Sequence, residues 1–130
     1  MNSISISWTP TNYSNLFEQE DSFFYAFVRG NNLLYVGIAT KQDVKARVPQ
    51  SIKRVLKGVT TGVSIWLGQI RDSSYGRITY QMIIDAENLL IYKNQPKHNI
   101  RGKNNYAGRN YLRITSDNMP YMYKTITYSK

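Results

Sequence analysis

The sequence predicts a single α+β domain, in which a small antiparallel sheet of three core strands is flanked by helices and extra edge strands. With 130 residues, the chain has the length of one domain. Two segments rich in aromatic and branched residues, 22–29 and 33–38, surround a turn sequence. Two others, 42–57 and 78–93, repeat apolar residues at helical spacing. A content of 42% hydrophobic and 19% charged residues is typical of a globular chain.

The N-terminal half contains three strand candidates. Alternation of Ile4, Ile6 and Trp8 predicts a short edge strand, followed over residues 13–22 by a loop or short helix. The segments 22–29 and 33–38 predict a β-hairpin. Because three-residue hairpin loops with glycine or asparagine in the left-handed region are common, we predict a loop over 30–32. That loop pairs Tyr25 with Gly37 and makes Tyr25 and Tyr35 neighbours on one face, whereas a two-residue loop separates them.

The next segments predict a helix, a strand and a second helix. Pro49 breaks or kinks the first helix, or opens a second one, and glycines at 58 and 62 mark its exit. Residues 63–70 alternate and predict a third strand, with a loop over 71–76. The helix 78–93 is ended by Asn94 and Pro96. The inner face of the first helix is predicted to contain Val44, Val48, Ile52, Val55 and Leu56.

The tail of the chain predicts two further strands, at 110–114 and 121–129, around a turn at 117–120. No apolar run reaches the roughly 18 residues that a membrane span needs, and the start lacks the pattern of a signal peptide. A cytoplasmic protein with no membrane partner is therefore expected. The absence of cysteine excludes disulfides and thiolate metal sites.

The charge balance points to a polyanionic partner. The chain has 17 basic and 8 acidic residues and a net charge of +9, and its basic residues concentrate in 41–57 and 93–113. Such a balance favours nucleic acid, and the alternative is a solvated, solubilising surface. With only one histidine, a bound metal is expected to be a hard cation on oxygen ligands.

Glu87 is the acid that needs an explanation. At helical period it shares a stripe with apolar residues, so the sequence predicts that it faces a core. A buried carboxylate costs several kcal/mol unless a positive charge meets it. Glu87 is therefore a candidate metal ligand or catalytic group, and the alternative is an edge position that reaches solvent. Asp85 and Asn88 lie off the stripe, whose other members are Tyr80, Ile83, Ile84, Leu90 and Ile91.

Five polar residues follow one another in an order that resembles the GIY-YIG nuclease family. They are Tyr25 in Phe-Phe-Tyr, Tyr35 in Tyr-Val-Gly, Arg47, Glu87 and Asn99. The spacing from Glu87 through Pro96 to Asn99 is similar to that in the nicking subunit of bacterial nucleotide excision repair. The resemblance spans about 22–99, so that 1–21 and 100–130 are expected to be family-variable extensions.

The resemblance implies a Mg²⁺-dependent endonuclease that hydrolyses DNA to 3′-hydroxyl and 5′-phosphate ends by a one-metal mechanism, with Mn²⁺ as a substitute. Glu87 is then the metal ligand, and Arg47 holds a phosphate oxygen and counters the transition-state charge. Tyr25 and Tyr35 orient the attacking water, and the family analogy favours Tyr25 as the general base. Asn99 braces the site by hydrogen bonds.

Several residues are expected to contact the nucleic acid. Gly37 fits where the backbone of the substrate comes close to the sheet. The single histidine, His98, is expected to make a surface or phosphate contact at most. The full set of predicted nucleic-acid contacts is Gly37, Lys45, Lys53, Arg54, Lys97, Arg101 and Lys103.

The chain also departs from the family pattern. Phe-Phe-Tyr replaces Gly-Ile-Tyr, and Ile38 stands where the repair domain has a lysine. If the segment around Arg47 is misaligned, Lys45 becomes the rival for its role. Two alternatives to a nuclease stay open: a non-cleaving nucleic-acid-binding domain of the same fold, and a basic accessory factor that binds protein. The sequence does not decide whether the nucleic acid is DNA or RNA. It also leaves open whether specificity comes from a homodimer, from DNA structure or from a partner protein.

Overall fold

A computed structural model describes residues 2–12, 23–39, 44–74 and 76–129, with only the backbone of Val44. The loop or short helix predicted over 13–22 lies outside these residues, as do positions 40–43. Within them the chain forms six strands and two helices. In chain order these are β1 (Asn2–Thr11), β2 (Phe24–Arg29), β3 (Asn32–Ile38), α1 (Val44–Val55), β4 (Val63–Ser73), α2 (Tyr80–Asn94), β5 (Leu112–Asp117) and β6 (Thr125–Tyr128).

The six strands form one sheet in the order β3-β2-β4-β1-β5-β6. The predicted α+β class is confirmed, but the sheet is mixed, because β1 runs antiparallel to β4 and parallel to β5. The prediction of β1 as a short edge strand is wrong. Its alternating Ile4, Ile6 and Trp8 are buried, as expected for one covered face, but alternation does not reveal which strands pair on either side. Pairing with β1 also extends β4 to Ser73, where a loop was predicted.

The β2–β3 hairpin has the predicted pairing of Tyr25 with Gly37, but its turn differs from the predicted one. Its turn has two residues, 30–31, so the predicted three-residue loop is wrong. Leu34 then forms a bulge, since the pairing shifts by one residue between Phe27 and Val28 of β2. The bulge restores the predicted pairing of Tyr25 with Gly37.

The two helices were predicted, with ends displaced by a few residues. Helix α1 continues through Pro49, so the predicted break is wrong; the proline removes only the hydrogen bond to the Lys45 carbonyl, near the helix start. The Thr79 hydroxyl caps the start of α2 by accepting from Met82 N, and Gln95 ends it in the left-handed conformation (φ 51°). Both tail strands were also predicted, but β5 continues to Asp117, where the turn was predicted to begin, and β6 begins only at Thr125.

The helices cover opposite faces of the sheet. Helix α2 packs on the face that contains Trp8 and Phe24, whereas α1 packs on the face that contains Tyr25 and Phe27. The candidate site lies beside β3, the strand at one edge of the sheet. No helix among the described residues is long and apolar enough to cross a membrane.

Candidate active site

A cleft of about 820 Å³ lies beside β3, where α1 and α2 approach each other from the two faces of the sheet. Its floor is strand, its two walls are helix, and the loop after α2 closes one end. The lining includes Tyr35 and Ile38 of β3; Arg47, Arg54 and Val55 of α1; Lys57; Tyr80, Ile84, Glu87 and Ile91 of α2; and residues 98–101.

The cleft is strongly basic. Among the residues that the structure describes, the charged side chains that line it are those of Arg47, Arg54, Lys57 and Arg101 and one carboxylate, that of Glu87. This excess of positive charge favours an anionic ligand. The cleft can therefore attract a phosphate while keeping one anionic group for another task.

Glu87 stands on the cleft wall of α2, not in the core. The prediction that its whole stripe faces the core is wrong, because the stripe straddles two environments: Ile83 and Leu90 are buried, but Ile84 and Glu87 face the cleft and are only partly buried. Burial raises the pKa of Glu87 to about 7, and the nearby positive charge of Arg47 lowers it. The core face of α2 is formed by Met82, Ile83, Ala86, Leu89 and Leu90.

The most deeply buried acid of α2 is Asp85, which the sequence analysis set aside. It is 0% exposed. Its carboxylate accepts hydrogen bonds from Gln81 Nε2 (2.8 Å), Arg109 N (2.9 Å) and Asn110 Nδ2 (2.7 Å). Asp85 is thus a structural anchor for the segment before β5. The periodicity of α2 does not show this, because two of the three partners, Arg109 and Asn110, lie more than twenty residues further along the chain.

Tyr25 lies beneath the cleft and does not line it. Its side chain is 0% exposed, and its hydroxyl shares a hydrogen bond of 2.5 Å with Ser51 Oγ of α1. Burial raises the pKa of Tyr25 to about 12, and the effects of Ser51 and Arg47, which lower it, are smaller. Tyr25 is therefore a neutral phenol near neutral pH.

Tyr35 does line the cleft, and it has a cationic partner. Arg54 Nη2 donates a hydrogen bond of 3.0 Å to its hydroxyl, and the same guanidinium lies 5.9 Å from the centre of the Tyr35 ring. Arg54 Nη2 also reaches Ser51 Oγ at 3.5 Å. One face of α1 thus supplies the polar partners of both tyrosines, Ser51 for Tyr25 and Arg54 for Tyr35.

Gly37 allows the two tyrosine rings to lie side by side. A Cβ atom at this position would stand 2.5 Å from Tyr25 Cζ and 2.9 Å from Tyr35 Cε2, too close for any side chain. The ring centroids of Tyr25 and Tyr35 are 6.1 Å apart, so the predicted same-face arrangement is confirmed. Gly37 itself is not part of the cleft lining.

Asn99 fastens the loop after α2 to the sheet. Val36 N donates to its Oδ1 at 2.9 Å, and its Nδ2 donates to Val36 O at 3.0 Å, so that the amide replaces a neighbouring strand. The backbone N–H groups of Lys97 and His98 donate to the carbonyls of Leu33 and Leu34. This edge of β3 is thereby covered, and the rim of the cleft is fixed to it.

The predicted basic contacts divide into two groups. Arg54 and Arg101 line the cleft, and Arg47, not its rival Lys45, lines it as well. Lys45, Lys53, Lys97 and Lys103 are not in the lining. Sequence analysis missed Ser51, although helical spacing alone places it one turn beyond Arg47, with Val48 and Ile52 on the buried side of α1.

The donor set of the cleft fits a hard divalent cation. Among the described residues, no group of three or more His, Cys, Asp or Glu side chains could hold a metal ion, which excludes a dedicated protein cage there. Mg²⁺ does not need one, because it is commonly held by one or two carboxylates, with water and substrate phosphate completing an octahedron. A single partly buried carboxylate, Glu87, in a wide basic cleft suits that mode.

No family model, no curated protein and no solved structure matches this chain. Membership of the GIY-YIG family therefore stays a prediction from the order of the polar residues. Four of those residues, Tyr35, Arg47, Glu87 and Asn99, line one cleft, and Tyr25 packs directly beneath it.

Proposed function

We propose that this chain is a GIY-YIG-type endonuclease that uses Mg²⁺ to hydrolyse DNA phosphodiester bonds, leaving 3′-hydroxyl and 5′-phosphate ends. The observation that carries the proposal is that Glu87, the one carboxylate among the described residues that line a basic cleft, shares that cleft with Arg47 and with Tyr35. Glu87 supplies an anion that can bind a metal, Arg47 supplies a cation that can bind a phosphate, and Tyr35 supplies a phenol that can orient a water.

Glu87 is the proposed metal ligand. When bound, a divalent cation would neutralise phosphate charge and stabilise the oxygen that leaves. Glu87 supplies the negative charge that holds it, and the partial burial of the side chain keeps competing water away from that carboxylate. The cost of burying the charged form of Glu87 also falls when a cation is paired with it.

Arg47 is the proposed phosphate clamp. Its positive charge lowers the pKa of both Glu87 and Tyr25, so it lies near the proposed metal ligand and near the hairpin. A planar guanidinium donates two parallel hydrogen bonds to phosphate oxygens, and its charge offsets the negative charge that builds up as water adds to phosphorus.

Tyr35, rather than Tyr25, is the proposed general base. Of the two hairpin tyrosines it is the one that lines the cleft, and its hydroxyl accepts a hydrogen bond from Arg54. The Tyr35 oxygen takes a proton from the attacking water as the oxygen of that water bonds to phosphorus, and its own hydroxyl proton passes to solvent. The bond from phosphorus to the 3′ oxygen breaks, and that oxygen takes a proton from solvent water. Tyr25 remains a neutral support that holds Arg47 and Ser51 in place.

Arg54 can compensate for the absence of a lysine at the position of Ile38. The repair domain that the chain resembles has a lysine at that position, beside the second tyrosine. Here the positive charge beside Tyr35 comes from α1 instead of β3, and Ile38 adds an apolar part to the cleft floor.

Nicking of supercoiled plasmid tests the proposal. The wild type with Mg²⁺ should produce nicks that DNA ligase reseals, since ligase requires 3′-hydroxyl and 5′-phosphate ends. Glu87→Gln should bind the plasmid and leave it intact, and Asp117→Asn, which changes an exposed carboxylate outside the cleft, should nick like wild type. Wild-type binding without nicking in either Mg²⁺ or Mn²⁺ would favour the non-cleaving binding domain.

A further inference from the structure

The loop that follows α2 is built as a rigid projection at the rim of the cleft. The Gln95 side chain closes it, because Nε2 donates to the Lys103 carbonyl at 2.7 Å and to the Tyr92 carbonyl at 2.7 Å. Gly102 completes the return in a left-handed conformation (φ 83°) that other residues rarely adopt. Residues 95–103 therefore form a small closed loop.

One side of this loop is fixed to strand β3. The N–H groups of Lys97 and His98 donate to carbonyls of the strand at 3.1 and 2.7 Å, and Asn99 makes two further bonds to Val36. The two residues that come next, Ile100 and Arg101, are thus presented from a backbone held on both sides. Both line the cleft that contains Glu87.

Ile100 is 91% exposed at this fixed position. A single exposed apolar side chain is ordinary on a protein surface. This one differs in its setting: it stands at the mouth of a basic cleft, next to Arg101, on a loop whose hydrogen bonds hold the residue before it in place. Tyr80, which also lines the cleft, is 49% exposed, so two large exposed side chains border the cleft together with its cations.

We propose that Ile100 is a wedge that inserts between stacked bases of duplex DNA beside the phosphate to be cut. The inference rests on the proposed nuclease function, and it adds a mode of DNA recognition. The cations of the cleft favour a nucleic acid, because they neutralise its phosphates, and a wedge requires a stacked duplex. Proteins that distort a duplex insert apolar side chains of this kind between base steps, and their cationic neighbours hold the flanking backbone. Arg101 is placed to hold that backbone.

A wedge makes the enzyme sensitive to how easily the duplex opens. Unstacking a step costs a few kcal/mol, and less at a mismatch or at a flexible pyrimidine–purine step. The protein should therefore bind a duplex containing a mismatch more tightly than a fully paired duplex of the same sequence. Ile100 should be the source of that difference.

Permanganate oxidation of bound DNA tests the wedge, because permanganate attacks thymines that have lost their stacking. Glu87→Gln protein binds without cutting and serves as the parent. Ile100→Ser in that background should abolish the added thymine reactivity and weaken binding to a paired duplex about tenfold, the contribution of one buried aliphatic side chain. Ile100→Leu should retain both. Val59→Ser, at a residue 55% exposed outside the cleft, is the matched control.

Each result of this experiment has a defined meaning. Equal thymine reactivity and equal affinity for Ile100→Ser and its parent would overturn the wedge and leave the nuclease proposal standing. A parent protein that binds no DNA would overturn both. Because Ile100 is almost fully exposed, its substitution should leave the melting temperature unchanged, so loss of fold does not confuse the two outcomes.

Discussion

The guanidinium of Arg47 on α1 and the carboxylate of Glu87 on α2 interact across one cleft. Burial raises the pKa of Glu87 and the charge of Arg47 lowers it, and the balance is a pKa of about 7. Near neutral pH this acid is therefore divided between its neutral and its charged form. A proton and a divalent cation compete for the same carboxylate.

That competition predicts a pH profile that depends on metal concentration. At low Mg²⁺ the nicking rate should rise with pH through a midpoint near the pKa of Glu87, about 7, because only the carboxylate binds the cation. Raising Mg²⁺ should move the midpoint to lower pH. Plasmid nicking measured over a grid of pH and Mg²⁺ checks this. If the midpoint pH does not change with Mg²⁺ concentration, the titrating group is not Glu87.

The same raised pKa predicts an effect on stability without metal. Since folding raises the pKa of Glu87 from 4.5 to about 7, the folded state holds this proton more tightly than the unfolded chain. The stabilisation is complete at pH values below 4.5 and is lost as pH rises through about 7. Relative to wild type, Glu87→Gln should gain on the order of 2 kcal/mol in free energy of unfolding between about pH 5 and about pH 8.

Urea unfolding of both proteins with chelator present measures that difference. Taking the difference between wild type and variant cancels the titration of every other group. A difference that stays constant with pH would mean that folding leaves the pKa of Glu87 unchanged, and would remove the basis of the metal-competition prediction as well.

The two hairpin tyrosines should separate into a catalytic and a structural residue. Tyr35→Phe removes the proposed base and should slow nicking about 10²- to 10⁴-fold at an almost unchanged melting temperature. Tyr25→Phe removes a buried hydrogen bond to Ser51 and should cost about 1–2 kcal/mol of stability. Its effect on the rate should be smaller than that of Tyr35→Phe. The reverse ranking of rates, at full stability, would assign the base to Tyr25.

Asp85 should prove to be the acid on which the fold depends. Asp85→Ala leaves the three donors of Gln81, Arg109 and Asn110 without their acceptor, and each buried unpaired donor costs about 1–3 kcal/mol. We expect a loss of at least about 3 kcal/mol in the free energy of unfolding. The exposed Asp117→Ala is the control. Equal stability of the two variants would show that the buried bonds contribute nothing.

The order of elements could be predicted from local patterns, but strand partners could not. The alternation of Ile4, Ile6 and Trp8 shows that β1 has one buried face. An edge strand and a central strand can both show this alternation, so the pattern does not tell them apart. The pairing of Tyr25 with Gly37 was predicted for the wrong reason, because a bulge at Leu34 compensates for a shorter turn. Bulges leave little trace in a single sequence, since their extra residue resembles any other strand residue.

The order of polar residues in the sequence was enough to predict part of the candidate site. The five polar residues of the family resemblance meet at or beneath one cleft. Periodicity could not tell a helix face that borders a cleft from one that enters the core, so it misplaced Glu87 and passed over Asp85. Arg54 and Ser51 acquire their roles only when α1 meets the hairpin, because neither contact is between neighbours in the chain.

Anomalous diffraction from Mn²⁺, in crystals of the protein with a short DNA duplex, tests the central claim most directly. The account predicts one Mn²⁺ about 2.1 Å from a Glu87 carboxylate oxygen, inside the cleft, with a DNA phosphate between it and Arg47 and the Tyr35 hydroxyl facing that phosphate. DNA lying in the cleft while Glu87 binds no metal, or Mn²⁺ bound only elsewhere, would contradict it.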